Sequence, residues 1–379
     1  MTAVVVTPAA PAGALEHFDA WLGRRVSMRT LALLRVLVGP VVLLHLWPFL
    51  TEARHGSIYR DHFHQPYAAW YPELPRDLYV ALLWTGAVAA VAMSIGLATR
   101  RATVTTFAVV TYNLFLSTTH YHNNRAYLVI VLAALALTPG GRELSIDAWW
   151  RTRSRRAPLD PTSPAWPLRL LRFEAATVYG ASGLSKLLDR DWFAGTVTWH
   201  RLVLVRDRLD SSPLPRWAVT LLTDRTFHAV SAKVIIATEL FIALGLCWRA
   251  TRLAAVWVAV CFHVSIQLSA SVEVFSYLAI AGLVIWAVPS TRDRVLRIDP
   301  ANGRQRRYAA VVRALDWLAR FRISHGPPGS APRMEDRDGA VLSGRAAVVF
   351  ALSRLPATAW FALPALLLPG IRRGRVIGN

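Results

Sequence analysis

An all-helical membrane bundle of about eight spans is the fold class that this 379-residue chain predicts, with a ninth interfacial or re-entrant helix near its end. Three observations lead there. Apolar residues make up 54% of the chain, charged ones only 17%, and the mean hydropathy is +0.35. A water-facing domain carries about a quarter charged residues. The apolar residues gather into runs near the ~17–25 residues that a bilayer core requires. The basic residues, which set a formal net charge of +20, sit in short clusters between those runs. That arrangement orients an integral membrane protein; it is not the basic stripe of a nucleic-acid binder. The lipid bilayer is therefore the expected partner, and nucleic acid is not.

The runs cover 31–50, 78–98, 103–118, 126–138, 168–188, 229–248, 253–269 and 274–289. The fourth is short and the fifth more polar. A last stretch, 346–369, is interrupted by Arg354, Pro356 and Pro364. Residues 1–15 are apolar without a preceding basic cluster, so no cleaved signal peptide is read. Three regions are expected: a cytoplasmic segment 1–22, a membrane domain 23–290, and a basic, Pro- and Arg-rich region 291–379 with a terminal apolar helix. No internal repeat and no separate soluble domain are read.

Arginine clusters orient the spans. Arg24, Arg25 and Arg29, then Arg100 and Arg101, Arg151 to Arg156, Arg249 and Arg252, and Arg292 to Arg297 share one side if each of the first eight runs crosses once. The positive-inside rule makes that side, and the N-terminus, cytoplasmic in the cell membrane. His62, His64, His120, His122 and Glu273 then face outward. Arg372, Arg373 and Arg375 would leave a ninth crossing on the wrong side, so that run is expected to stay at the interface.

Of 43 basic residues only Lys186 and Lys233 are lysines. An arginine serves wherever a fixed charge is enough, whereas a lysine amine can give up its proton and act as a base. An ionisable group in a membrane run suggests function, although Lys186 at a helix end could also snorkel to the interface. Lys233 has no motif around it, and Glu239, six residues on, is too far for a same-face helical pair. It is read as structural.

Residues 170–195 read LLRFEAATVYGASGLSKLLDRDWFAG. This resembles the signature helix VYxxAGxKKLDxDWxxG of the vitamin K-dependent γ-glutamyl carboxylase family and its bacterial HTTM-domain branch. Val178, Tyr179, Gly183, Lys186, Leu187, Asp191, Trp192 and Gly195 match; Ser185 replaces the first lysine, and one extra residue follows Leu187. TGAVAAVAMSIGLATR resembles the family's second span, HNNRAYL its WNNHSYL, and FHVSIQLSASVEVFSYL its FHxxNSQLFSIGMFSYV, in the same order. The resemblance covers about residues 20–290. The animal enzyme's large lumenal domain has no counterpart.

The resemblance implies a carbon–carbon lyase. In that reaction a lysine, here Lys186, deprotonates a reduced vitamin K or menaquinol-type naphthoquinone. Oxidation of the quinol by O2 to the epoxide supplies a base strong enough for a carbon-bound proton, and CO2 adds to the carbanion of a peptide or small acidic acceptor. No metal is expected. The resemblance places Asn124, Tyr179, His263, Gln267 and Tyr277 toward the cofactor, and Arg125 and Trp192 toward the acceptor. His263 and Gln267 are four residues apart, on one helical face. The family histidine of NNHSYL is Arg125 here, which cannot shuttle protons but could clamp a carboxylate; His120 or His122 could take over the proton role. Predicted topology puts Lys186 and the Asn123–Arg125 loop on the same outer side.

Two rivals remain. The pairs His62, His64 and His120, His122 could bind zinc or copper in a membrane metalloenzyme or metal transporter. A non-enzymatic HTTM transporter or scaffold is the other, although the paired broken spans of a transporter are not seen.

Overall fold

Within the described residues the first eight apolar runs are helical, and caps such as Gly96, His122, Asp189 and Asp224 mark several helix ends. The computed structural model describes residues 13–55, 65–157, 159–203, 215–270, 274–287, 293–366 and 375–377. The chain forms two units, residues 1–171 and 172–379.

In the first unit α1 (Ala14–Gly23) leads into strand β1 (Arg25–Ser27), followed by α2 (Arg29–His55), α3 (Arg76–Ile95), α4 (Thr99–Leu116), α5 (Asn123–Ala136) and α6 (Ile146–Arg153). Strand β2 (Thr162–Pro164) pairs antiparallel with β1 before α7 (Trp166–Leu188) begins. At ~1.5 Å per residue the 27-residue α2 and 20-residue α3 span about 40 and 30 Å, enough for a bilayer core.

The α3–α4 turn shows how polar groups are satisfied inside this apolar unit. Gly96 adopts φ 74°, the left-handed cap that ends α3. The buried Arg35 of α2 donates to the carbonyls of Met93, Ser94 (3.0 Å) and Leu144 (2.6 Å), the first two at the C-terminal end of α3. Across the turn, Asp147 accepts from the amides of Ala98 (2.9 Å) and Thr99 (2.7 Å), the unpaired donors that open α4.

The second unit holds the rest of α7, then α8 (Arg190–Phe193), α9 (Thr196–Val203), α10 (Arg216–Thr223), α11 (Arg225–Cys247), α12 (Arg252–Ala270) and α13 (Phe275–Gly282), which tightens into a 3-10 turn, Leu283–Trp286. Helices α2, α3 and α11 are long and apolar enough to cross a membrane, and α5, α12, α13 and the helix Gly344–Ser353 are apolar but shorter.

The all-helical expectation needs correction. The chain is mostly helical, yet beyond residue 293 it builds a five-stranded mixed sheet in the order β4-β3-β5-β6-β7. The strands are β3 (Arg294–Ile298), β4 (Phe321–His325), β5 (Arg333–Glu335), β6 (Ala340–Ser343) and β7 (Arg375–Ile377). Strand β3 pairs in parallel with β4 through the crossover helix α14 (Gly303–Leu315) and antiparallel with β5. Leu296, Ile298, Phe321, Met334 and Leu342 form a core with Ala309 and Val312 of α14 and with Ala347 and Phe350 of α15 (Gly344–Ser353). This corrects the reading of a terminal apolar helix at the membrane interface: the first half of the run 346–369 buries its apolar face on the sheet. The second half, after a break at Arg354, is the short α16 (Ala359–Ala365). The strands escaped notice because each has only three to five residues, and arginines sit in β3, β4 and β5 beside the inward side chains.

Candidate functional site

The signature segment forms α7 and the turn after it. Tyr179, Ser182 and Lys186 are spaced three and four residues apart and therefore share one face of α7. Asp189 ends that helix and starts α8, its Oδ1 accepting from the amides of Asp191 (2.9 Å) and Trp192 (3.0 Å). The turn sets the Trp192 ring with its centroid 5.1 Å from Lys186 Nζ, a cation–π distance.

Two glycines of the signature are required by neighbouring α11. A Cβ on Gly183 would stand 3.0 Å from the Leu240 side chain and 3.3 Å from that of Glu239. Gly195 has φ +80°, and a Cβ there would lie 2.5 Å from the backbone of His228 and Ala229. Lys233 supports the same turn by donating to the carbonyls of Phe193 (3.3 Å) and Ala229 (3.2 Å), a structural contact.

Close helix approach delivers Glu239 to Lys186. Lys186 Nζ lies 2.8 and 2.7 Å from the two carboxylate oxygens and 2.5 Å from Ser182 Oγ. Ser182 in turn donates to Glu239 Oε1 at 3.1 Å. The lysine and glutamate side chains are only 16% and 7% exposed, so this is a sheltered, net-neutral proton-bearing pair and not a snorkelling surface lysine. Sequence reasoning weighed Glu239 only against Lys233 on its own helix. The available signal was that Glu239 is the one acidic residue in the run 229–248.

Two turns back along α7, Tyr179 Oη is 2.6 Å from His263 Nε2 of α12. His263 is fully buried, its ring flanked by those of Tyr179, Phe262 and Phe275 at 5.0 to 5.7 Å. Its Nδ1 has no hydrogen-bond partner among the described residues. Gln267 follows one turn later and is partly buried. Tyr277, 44% exposed on α13, is not part of this buried couple. Three aromatic rings thus enclose one buried ring nitrogen.

The second predicted constellation lies in the first unit. His122 caps α5, its Nδ1 accepting from the Asn124 amide at 3.3 Å. Arg125 stacks its guanidinium 4.8 Å from the Phe49 ring centroid and donates to the His120 carbonyl at 2.9 Å. His120 contacts the Asn113 carbonyl through Nδ1 at 2.8 Å, and Tyr79 donates to Asn113 Oδ1 at 2.5 Å. Buried His45 completes the cluster, 5.4 Å from Phe49 ring to ring. Tyr79, Asn113 and His45 were missed, although His45 is the one histidine of the run 31–50 and Asn113 the one amide side chain of the run 103–118.

His62, His64 and Glu273, together with Asp207, lie outside the described residues. His120 and His122 make the separate contacts given above. Among the described residues no three of His, Cys, Asp and Glu gather as a metal site would require.

No curated protein and no solved structure matches the chain. The family model of the HTTM domain matches residues 24–290, well over half of the chain. HTTM domains are related to the vitamin K-dependent carboxylase family. With the signature lysine, its two glycines and its tryptophan set along the end of α7 and the turn after it, this chain belongs to the HTTM-domain family.

Proposed function

We propose that the protein is a membrane carboxylase of the vitamin K-dependent type, with the Lys186–Glu239 pair as its proton acceptor. The observation that carries the reading is the sheltered contact of Lys186 Nζ with both Glu239 oxygens, Ser182 and the Trp192 face. In the ammonium–carboxylate form the nitrogen has no lone pair to offer. Moving one proton along the 2.7 Å contact gives amine and carboxylic acid with no change of net charge. That rearrangement leaves a base on Nζ, and a dry site tolerates it because no isolated charge is created. Ser182 holds both partners in line.

Tyr179 and His263 form the second part of the site. Their couple fixes the imidazole ring, and the unshared Nδ1 can donate to or accept from a cofactor oxygen. Bound there, a reduced naphthoquinone would supply, through its oxidation by O2 to the epoxide, the strong base that no side chain can provide. The residues' part is to take the quinol proton at Nζ, orient the ring and exclude water. CO2 would then add to the acceptor carbanion, the acceptor being a glutamate-like peptide or small acid. Eight crossings with a cytoplasmic N-terminus and an outward-facing site complete this reading.

The same bidentate contact also favours a second reading, in which Lys186–Glu239 is a tie between α7 and α11 in a non-enzymatic HTTM scaffold. One experiment separates the two. Purified protein is incubated with menaquinol, O2 and labelled CO2, and the quinone epoxide is measured. Epoxide formed by the native chain and abolished in Lys186→Arg supports the base, since the charge survives but the removable proton does not. Equal epoxide from both proteins, or none from either, favours the scaffold.

A further inference from the structure

Helix α14 crosses between the parallel strands β3 and β4 with its inner face closed by the sheet core. Gln305, Ala309 and Val312 are buried. Its outer face presents Arg304, Arg306, Arg307 and Arg313, all exposed, with no acidic residue anywhere in the helix. Among the described residues none of the four makes a salt bridge to an Asp or Glu. The acids flanking the helix are occupied elsewhere: Asp299 accepts from the amides of Ala301 and Gly329, and Asp316 from those of Arg320 and Phe321.

Three of these arginines crowd the first turns, where the helix dipole is positive and disfavours cations. Arginine favours helix as many other residues do, and packing does not account for such a face. Between and beyond the arginines, Val311 is 47% exposed and Trp317 37% exposed. Guanidiniums with an outward valine and tryptophan are the composition of an interfacial helix that lies on lipid.

The other broad face of this sheet is different. Arg297, Arg322 and Arg333 project there, but Glu335 lies among them and pairs with Arg297 at 3.4 Å. Chain length adds a further constraint. From Trp286, the end of the last apolar helix before the sheet, to Arg294 the backbone can reach at most ~30 Å.

We infer that the outer face of α14 docks on the headgroups of an anionic lipid leaflet, holding the sheet against the membrane. The arginines meet lipid phosphates, and Val311 and Trp317 meet the boundary of the acyl chains. Attraction of this kind falls off within a Debye length and weakens with salt.

The test uses the full chain in nanodiscs. Both exposed free cysteines, Cys247 and Cys261, are replaced by serine, and Ala310→Cys on the outer face carries a fluorophore. Quenching by a headgroup-nitroxide lipid is compared in phosphatidylcholine discs and in discs with about one-third phosphatidylglycerol. Quenching is expected to be stronger in the anionic discs and to fade near ~1 M salt, where screening is nearly complete. The variant R304Q/R306Q/R307Q/R313Q should shift the docked-to-free ratio roughly a hundredfold or more toward free. Single Arg307→Gln, which perturbs folding least, should shift it several-fold. The variant R297Q/R322Q/R333Q, on the opposite face, should leave quenching unchanged. Equal quenching in the two lipids, or equal loss in both multiple variants, overturns the inference. So does protection of the label by RNA with no response to lipid, which would make the face a nucleic-acid surface.

Discussion

At the scale of single residues, the site's chemistry depends on partners drawn from different helices. Removing Lys186 alone leaves the Glu239 carboxylate buried without its counter-charge, and breaking such a pair costs about 3–5 kcal/mol. Lys186→Ala is therefore expected to lower thermal stability as well as activity, which complicates its use as a catalytic test. The double variant K186M/E239M replaces both ends with apolar groups. It should recover most of the lost stability while making no epoxide, and a melt beside the epoxide assay checks both points. Glu239→Gln keeps the shape and removes the proton store; epoxidation should drop on the order of 100-fold. Arg125 presents a different case. Its contacts include the Phe49 face and the His120 carbonyl, as for a loop anchor, whereas the sequence pointed to a clamp on the acceptor's carboxylate. Arg125→His should cost about 1–2 kcal/mol of stability and leave the acceptor KM within tenfold. A KM raised by more than tenfold in a protein that melts normally would support the clamp instead.

At the scale of elements, the two signature glycines make different demands. Gly195→Ala combines a positive φ with backbone at 2.5 Å, so neither the helix nor the turn can yield cheaply. It should destabilise by more than ~3 kcal/mol and displace Trp192. Gly183→Ala meets side chains alone, Leu240 at 3.0 Å and Glu239 at 3.3 Å, and should fold with α7 and α11 slightly separated. Loss of epoxidation without loss of structure is expected there, and thermal melts of the two variants test the ranking. Tyr308 on α14 gives a pH signature. Burial raises its phenol above the ordinary 10.0, so the folded chain keeps a proton that the unfolded chain begins to lose there. Stability should consequently fall as pH rises beyond ~10. Tyr308→Phe removes this dependence. Because the hydroxyl is buried with no partner among the described residues, the variant should also be more stable at neutral pH by about 1 kcal/mol. Alkaline unfolding followed by near-ultraviolet circular dichroism compares the two proteins. The helices were legible because long apolar runs admit little else. The sheet was not, because a strand such as Arg333–Glu335 offers one inward residue, Met334, and no period to read. Lys186 was legible from the scarcity of lysine and the resemblance of its segment, but its partner on α11 depended on helix packing that one sequence does not encode locally.

At the scale of the whole molecule, the arginine clusters make a topological prediction. Reporters fused near Arg155 and Arg294 should read cytoplasmic, and those near His64 and Asp207 external; a cytoplasmic signal at Asp207 would put Lys186 on the wrong side for the proposed site. The clip between β1 and β2 adds a constraint in time. Arg25 bonds Asp160 and Thr162, and Met28 donates to the Pro161 carbonyl, so the first unit is fastened by contacts between positions more than 130 residues apart. At ~5–20 residues per second of synthesis, the first strand waits on the order of ten seconds for its mate. During that interval α2 and α3, long and apolar enough to cross a membrane, are made with their beginning unsecured. Replacing Asp160 would then reveal itself less in the finished protein than in the fraction of nascent chains that ever reach it.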